Sequence, residues 1–255
     1  SFGHPTIETP NLDRLAREGQ KWTNFYAASS VCTPSRAGLL TGRLPIRSGL
    51  SADNKHYAVF FDDSLGGLPT SEITIAEMLK EKGYTTAAIG KWHLGADPDQ
   101  QGFDVNVAGS HQGMTFHYFS PYKLPNIKDG PEGEYLTERL TNEVIDWVKS
   151  TKDKPFFAYV PYYTVHTPYQ AVLDKVNKYH AKGIKDKKQA TYAAMVEHMD
   201  DNVGRILAML ASENLADNTL VIFTSDNGGY RMSSFPTPLR GGKGSYYDGG
   251  LRVPL

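Results

Sequence analysis

Residues 32–43 read CTPSRAGLLTGR, and both the fold and the chemistry can be read outward from this run. It contains the one cysteine of the chain, Cys32, with Pro34 two positions on and Arg36 four positions on. Given one cysteine, the proline and arginine frequencies of the chain would produce that spacing in roughly 0.2% of shufflings, so accident is a poor account of it. Pro34 followed by Ala37, Leu39 and Leu40 predicts a short helix over 35–41, because proline's missing N–H costs nothing in a first turn. Cys32 then stands at a helix N-terminus, where unpaired N–H groups and the positive end of the helix dipole favour an anion. Arg36 adds a fixed cation whose planar fork matches sulfate or phosphate. A lone cysteine is otherwise a small apolar core residue, and the Pro34 and Arg36 spacing is what argues against that reading here.

Four further clusters follow apolar runs or sit among glycines. YTTAAIG at 84–90 predicts a strand that runs into KWHLG, placing Lys91 and His93 beyond its carboxyl end and on one side if the chain stays extended. TLVIFT at 219–224 predicts a strand followed by SDNGG, whose Asp226 and Asn227 offer the oxygen donors that hard divalent cations take. PFFAYVP at 155–161 predicts a third strand leading to His166, and RGGKGSYYDGG sets Lys243 between glycines, where it can approach a ligand closely. Singly, each has an ordinary explanation: an Asp-Asn-Gly-Gly turn, a hydrogen-bonded loop histidine, a solvated lysine. Their joint placement after strands or in glycine-rich loops is where open α/β sheets build ligand sites.

The remaining pattern predicts helices over 10–18, 72–82 (Ser71 as N-cap, Gly83 as stop), 134–150 and 187–213, the last with Tyr192, Met195, Met199, Val203, Ile206 and Leu210 as a buried stripe. Strands at 85–89, 156–160 and 219–224 alternate with these helices. An α/β fold follows, with a mostly parallel sheet sandwiched between helices. The irregular stretch 97–133 is long enough to be functional, and its His117, Tyr118 and Lys123 are candidate substrate contacts.

At 255 residues and 40% hydrophobic content the chain can bury one large core, and its net charge of −1 gives no basic face for nucleic acid. One cysteine excludes an intrachain disulfide. No apolar run of about 18 residues is present, so no membrane span is expected.

In order, TPNLDRLAREG, CTPSR, TGR, TIAEMLKEKGY, GKWHLG, HTP, SDNGG and GGKGS…GGLRVP resemble the type I sulfatases, arylsulfatase-like members of the alkaline-phosphatase superfamily. The resemblance runs from end to end. It implies a sulfuric ester hydrolase in which Cys32 is oxidised by a formylglycine-generating enzyme to formylglycine, the nucleophile as its hydrate. It further implies that Arg36 holds that residue, that Lys91, His166 and Lys243 bind sulfate and stabilise the leaving group, and that His93 assists the hydrate. Asp226 and Asn227, beside position 32, would hold a metal, calcium or else magnesium. The substrate would be a sulfated small molecule or a sulfated carbohydrate. A periplasmic, secreted or lysosomal address is expected by the same resemblance.

Relatives begin with an apolar strand ending in two aspartates that complete the metal shell. Residues 1–255 start downstream of it and stop before the C-terminal subdomain, so the expectation is a catalytic domain incomplete at both ends. Asp62 and Asp63 follow an apolar run as that pair would, but their position implies a connecting loop at solvent or the pocket rim. The competing readings are a phosphonate or phosphate monoester hydrolase of the same superfamily, and a non-catalytic sulfated-glycan-binding protein.

Overall fold

The computed structural model describes residues 4–50, 67–234 and 237–255. Its elements run α1 (Pro10–Glu18), β1 (Phe25–Tyr26), α2 (Cys32–Thr41), α3 (Ile75–Lys80), β2 (Thr85–Ile89), β3 (Val105–Val107), α4 (Leu136–Thr151), β4 (Phe156–Tyr159), α5 (Leu173–Ala181), α6 (Lys187–Ser212), α7 (Asp248–Leu251) and β5 (Arg252–Val253). The main sheet is parallel, in the order β3-β2-β4, with Ala87 opposite both Val105 and Ala158. A small antiparallel pair joins β1 to β5 at Phe25 and Val253.

Side chains alternate across a strand, and here the alternation sorts the core into two layers. Ala87 and Ile89 of β2 face a cluster that includes Leu136, Leu140 and Val144 of α4 with Met195 and Leu210 of α6. Ala88, one residue between them, faces the other cluster, which includes Ala37 and Leu40 of α2, Ala76 of α3, Trp92 and Phe103. β4 divides the same way, Phe156 toward the first cluster and Phe157 and Tyr159 toward the second. The fold is therefore α/β, a parallel sheet between helical layers, as the strand and helix alternation requires. Among the described residues no helix is long and apolar enough to cross a membrane.

Several boundaries differ from the sequence expectation, each for a local reason. α2 starts at Cys32, three residues early, because Pro34 occupies the first turn, where its missing N–H is not needed. α3 starts after Thr74 rather than Ser71: the Thr74 hydroxyl accepts from the Glu77 N–H while the Glu77 carboxylate accepts from the Thr74 N–H, a reciprocal cap. Residues 219–224, expected as a strand, form none. Leu220 and Ile222 are exposed and Val221 packs on the core, but among the described residues no strand pairs with their backbone. α5 and β3 were not foreseen, α5 because its packing face on α6 is polar as well as apolar. There Glu197, buried on α6, accepts from Lys175 (2.8 Å) and Lys178 (2.9 Å) of α5.

One buried carboxylate fixes α1. Asp200 of α6 accepts from the backbone N–H groups of Asn11 (3.0 Å) and Leu12 (2.8 Å) and from the Asn11 side chain (2.9 Å), so α6 caps the first turn of α1 from a distance. Asp200→Ala leaves these partly buried donors without their acceptor and is expected to lower the unfolding free energy by about 1–3 kcal/mol, read by urea denaturation. An unchanged midpoint would mean that α1 is held by its apolar contacts alone.

Candidate active site

The parallel sheet delivers two strand ends to one place, and α2 meets them there. Past β2 the chain turns at Gly90, whose φ of 131° is open only to glycine. A Cβ there would run into the Pro161 carbonyl oxygen beyond β4, the same oxygen that accepts from the Lys91 N–H at 2.7 Å. Lys91 and His93 are thereby turned inward and buried. Thr33 of α2 donates from its hydroxyl to the His93 carbonyl (2.9 Å), tying the helix start to the β2 loop.

Arg36 joins all of these pieces. Its Nε and Nη2 donate to Asp226 Oδ2 at 3.0 and 2.8 Å, and its Nη1 donates to the Lys91 carbonyl at 2.7 Å and the Tyr159 hydroxyl at 3.3 Å. Burial works against the guanidinium charge, but Tyr159 and Asp226 outweigh it and hold the arginine above its ordinary pKa. Burial likewise opposes ionisation of Asp226, and Arg36, Lys91 and Lys243 hold the carboxyl well below the usual carboxylate range.

Lys243 reaches the start of α2. Its Nζ lies 3.3 Å from Cys32 Sγ and 3.1 Å from His166 Nε2. The loop that carries it is pinned by two backbone bonds, Lys243 N–H to the Gly229 carbonyl and Gly244 N–H to the Ser30 carbonyl, both 2.9 Å. Cys32 is the first residue of a helix whose N-cap, Val31, supplies no side-chain acceptor, so the helix N-terminus is open to an anion.

The two histidines are neutral. Burial, then Lys243 and Lys91, bring His166 to about 4, and burial with Lys91 and Arg36 brings His93 to about 2. For His166 the neighbours also select the tautomer. Nδ1 lies 2.8 Å from the Thr167 carbonyl, which can only accept, so Nδ1 carries the proton and Nε2 accepts from the Lys243 ammonium. Burial also lowers Lys91, which sits among Arg36 and Lys243 with too little negative charge to balance them. Cations outnumber carboxylates in this cluster, so it is built for an anionic ligand.

The structure therefore brings Cys32, Arg36, Lys91, His93, His166, Asp226 and Lys243 into one cluster. Asn227 adjoins it: its Oδ1 is buried with no protein hydrogen-bond partner among the described residues, its Nδ2 being turned to the Gly228 carbonyl at 2.8 Å. A carboxylate and an orphaned amide oxygen side by side fit one side of a calcium or magnesium shell. Among the described residues no three His, Cys, Asp or Glu side chains converge as a metal group. Asp62 and Asp63 lie outside the described residues.

Tyr118 is a correction. It is fully buried and its hydroxyl donates to the carbonyls of Tyr163 (2.7 Å) and His166 (2.9 Å), so it positions the His166 loop instead of meeting substrate. His117 is half-buried with its backbone turned onto Thr115, and Lys123 is exposed. Thr33, Tyr159 and Gly113, where a Cβ would overlap the His93 ring, were missed. Strand-end position could have flagged Tyr159, but nothing local marks Gly113.

The chain matches the Sulfatase family over residues 1–255. It belongs to the sulfatase family. It is 35% identical over 284 residues to human N-acetylgalactosamine-6-sulfatase, covering 99% of this chain and 52% of that protein. Mouse steryl-sulfatase is 33% identical over 343 residues, covering 99% and 54%. The crystal structure of Ps i-CgsB superposes with a TM-score of 0.83 at 35% identity, over 99% of this chain and 60% of that one. The chain thus spans about half the length of the curated sulfatases it matches. A phosphonate monoester hydrolase from Agrobacterium radiobacter, at 19% identity and TM-score 0.67, shares the fold.

The depressed histidines make this site acid-sensitive. Unfolded, both titrate near 6.5, so on acidification protons bind the unfolded chain first. Stability is full above pH 6.5, falls as pH drops toward about 4 on account of His166, and falls further toward about 2 on account of His93. His166→Gln is expected to flatten the dependence of urea-unfolding free energy on pH between 6.5 and 4. An undiminished slope in that variant would show that His166 is already protonated in the fold.

Proposed function

We propose that this chain carries the catalytic site of a sulfuric ester hydrolase acting on sulfated carbohydrates. One observation carries the reading: Lys243 Nζ contacts both Cys32 Sγ and His166 Nε2 at the uncapped start of α2, with Arg36 and Lys91 buried alongside. A sulfate monoester is an anion whose oxygens gain charge as the ester bond breaks. Cations and helix N–H groups fixed in advance favour that change most.

On this reading Cys32 is converted to formylglycine, and Sγ marks where its oxygens stand. Formylglycine supplies, as its hydrate, an oxygen nucleophile for sulfur and a second hydroxyl whose collapse to the aldehyde releases sulfate. Asp226 and Asn227 would hold calcium or magnesium, which would supply further charge neutralisation for the bound anion. The protein's own groups do the rest. Lys91 and the α2 amides bind the sulfate oxygens, and Arg36 holds Asp226 and the α2 start in place. His93, neutral at pH 7, accepts a hydrogen bond from the nucleophile's hydroxyl at a ring nitrogen and so orients it toward sulfur. His166 keeps the Lys243 ammonium aimed at the leaving oxygen, where the ammonium can give up a proton. The sum is ester plus water giving alcohol, sulfate and a proton.

Relatives support the substrate class. N-acetylgalactosamine-6-sulfatase is among them, and Ps i-CgsB has been crystallised with a neocarrahexaose.

Protein produced with a formylglycine-generating enzyme should show, by peptide mass spectrometry, loss of the Cys32 sulfur and gain of oxygen, and should hydrolyse 4-nitrophenyl sulfate faster than the phosphate. Cys32→Ser, one hydroxyl short, should stop after a single turnover. A quantitatively free thiol in active protein removes the nucleophile assignment, and a free thiol without turnover favours a sulfated-glycan-binding protein. Faster phosphate cleavage favours a phosphate or phosphonate monoester hydrolase.

Asn227→Ala is expected to weaken calcium binding about tenfold or more, read by calorimetric titration independently of turnover. Equal affinity would place the metal elsewhere.

A further inference from the structure

Beside the catalytic loop lies an open cleft of about 570 Å³ whose lining includes Arg231, Ser234, Thr237, Arg240, Ser245 and Tyr247. That is room for a sugar-sized ligand. Gly241 and Ser245 of its lining flank Lys243 in the chain. Arg231 lies across Gly242, where an added Cβ would meet its side chain, and Gly242 immediately precedes Lys243. The Gly242 N–H donates to the Ser245 hydroxyl at 3.1 Å, closing the turn that carries Lys243, whose Nζ contacts Cys32 Sγ.

The charge is unbalanced. Among the described residues neither Arg231 nor Arg240 has a carboxylate partner, although both are exposed and such partners are common on the rest of the surface. Arg240 is nonetheless ordered in place: its Cζ sits 3.8 Å from the centroid of the Tyr247 ring, and its own carbonyl accepts from the Gly249 N–H at 2.7 Å. A guanidinium stacked on an aromatic face keeps its edge donors free and gives up little freedom on binding, as a recognition group should. The Tyr247 ring, half-exposed, is itself part of the lining.

We propose that this cleft is a substrate subsite in which Arg231 and Arg240 bind a second anionic group, a sulfate, on the sugar adjoining the one that is desulfated. This rests on the sulfatase reading of the neighbouring site and extends it: the preferred substrate is a multiply sulfated oligosaccharide, not an isolated monosulfated unit. Two guanidinium forks address two sulfate oxygens each, Ser245 lies within the same lining, and the Tyr247 ring packs against the sugar. Because the cleft and Lys243 share one loop, occupation of the subsite also steadies the catalytic ammonium.

The test is calorimetric titration, at fixed low salt, of protein carrying Cys32→Ala, which binds without turnover. The probes are two disaccharides of one galactose backbone, one with a single 6-sulfate and the other with a second sulfate on the adjoining ring. The disulfated probe is expected to bind about tenfold more tightly, and Arg231→Gln with Arg240→Gln to reduce that preference to within about twofold. Arg231→Lys, which keeps the charge but loses the fork, should retain part of it. Thermal melts of each variant establish that the fold is kept. Equal binding of the two probes, or a preference that survives the double substitution, overturns the subsite. Turnover of 4-nitrophenyl sulfate by the unsubstituted, matured protein is measured alongside. Its absence would overturn the sulfatase reading while leaving the titration result to stand by itself.

Discussion

A buried guanidinium holds the site together. Arg36 is almost wholly enclosed, and removing a charge from water costs several kcal/mol unless partners replace the lost hydration. Those partners come from separate parts of the chain: the Asp226 carboxylate after residues 219–224, the Lys91 carbonyl after β2 and the Tyr159 hydroxyl at the end of β4. Satisfying Arg36 therefore brings the carboxyl ends of two parallel strands to the first turn of α2. Lysine in its place would offer one point charge where three directions must be filled at once.

Once that frame is set, the electrostatics of the pocket follow from crowding. Lys91 and Lys243 join Arg36 around a single carboxylate, and the nearby histidines stay neutral because burial disfavours their charged form and the neighbouring cations add to that. The outcome is a division of labour by protonation state. The lysines and arginine attract an anion, while the neutral imidazoles remain able to accept hydrogen bonds or protons. Tyr118 contributes from behind, holding two carbonyls of the segment that presents His166. The guanidinium-lined cleft beside Lys243 continues the positive surface outward from this pocket.

The local signals were good where chemistry and backbone geometry coincide. Proline within the first turn of α2 and the Asp-Asn-Gly-Gly turn each record a backbone requirement over a few adjacent residues, and the residues they flag converge in space. The signals failed where a decision belonged to a neighbour. Residues 219–224 have the apolar content of a strand, yet pairing needs a second strand alongside, and among the described residues none pairs with them. Tyr118 carries the polar tip and aromatic body of a ligand contact, and only its burial shows that the hydroxyl is already committed. Gly113 has no local reason to be glycine; the reason is the His93 ring against it.

By itself, the sequence determined the α/β class, the ends of the longer helices and the identity of the charged and nucleophilic residues, because periodicity, capping and spacing are written over a few adjacent positions. The tertiary structure decided which of those residues meet. The Lys243 contact with Cys32 spans 211 positions and the Arg36 pair with Asp226 spans 190. No local pattern encodes such approaches. They exist because two parallel strand ends and one helix start must share a buried charge.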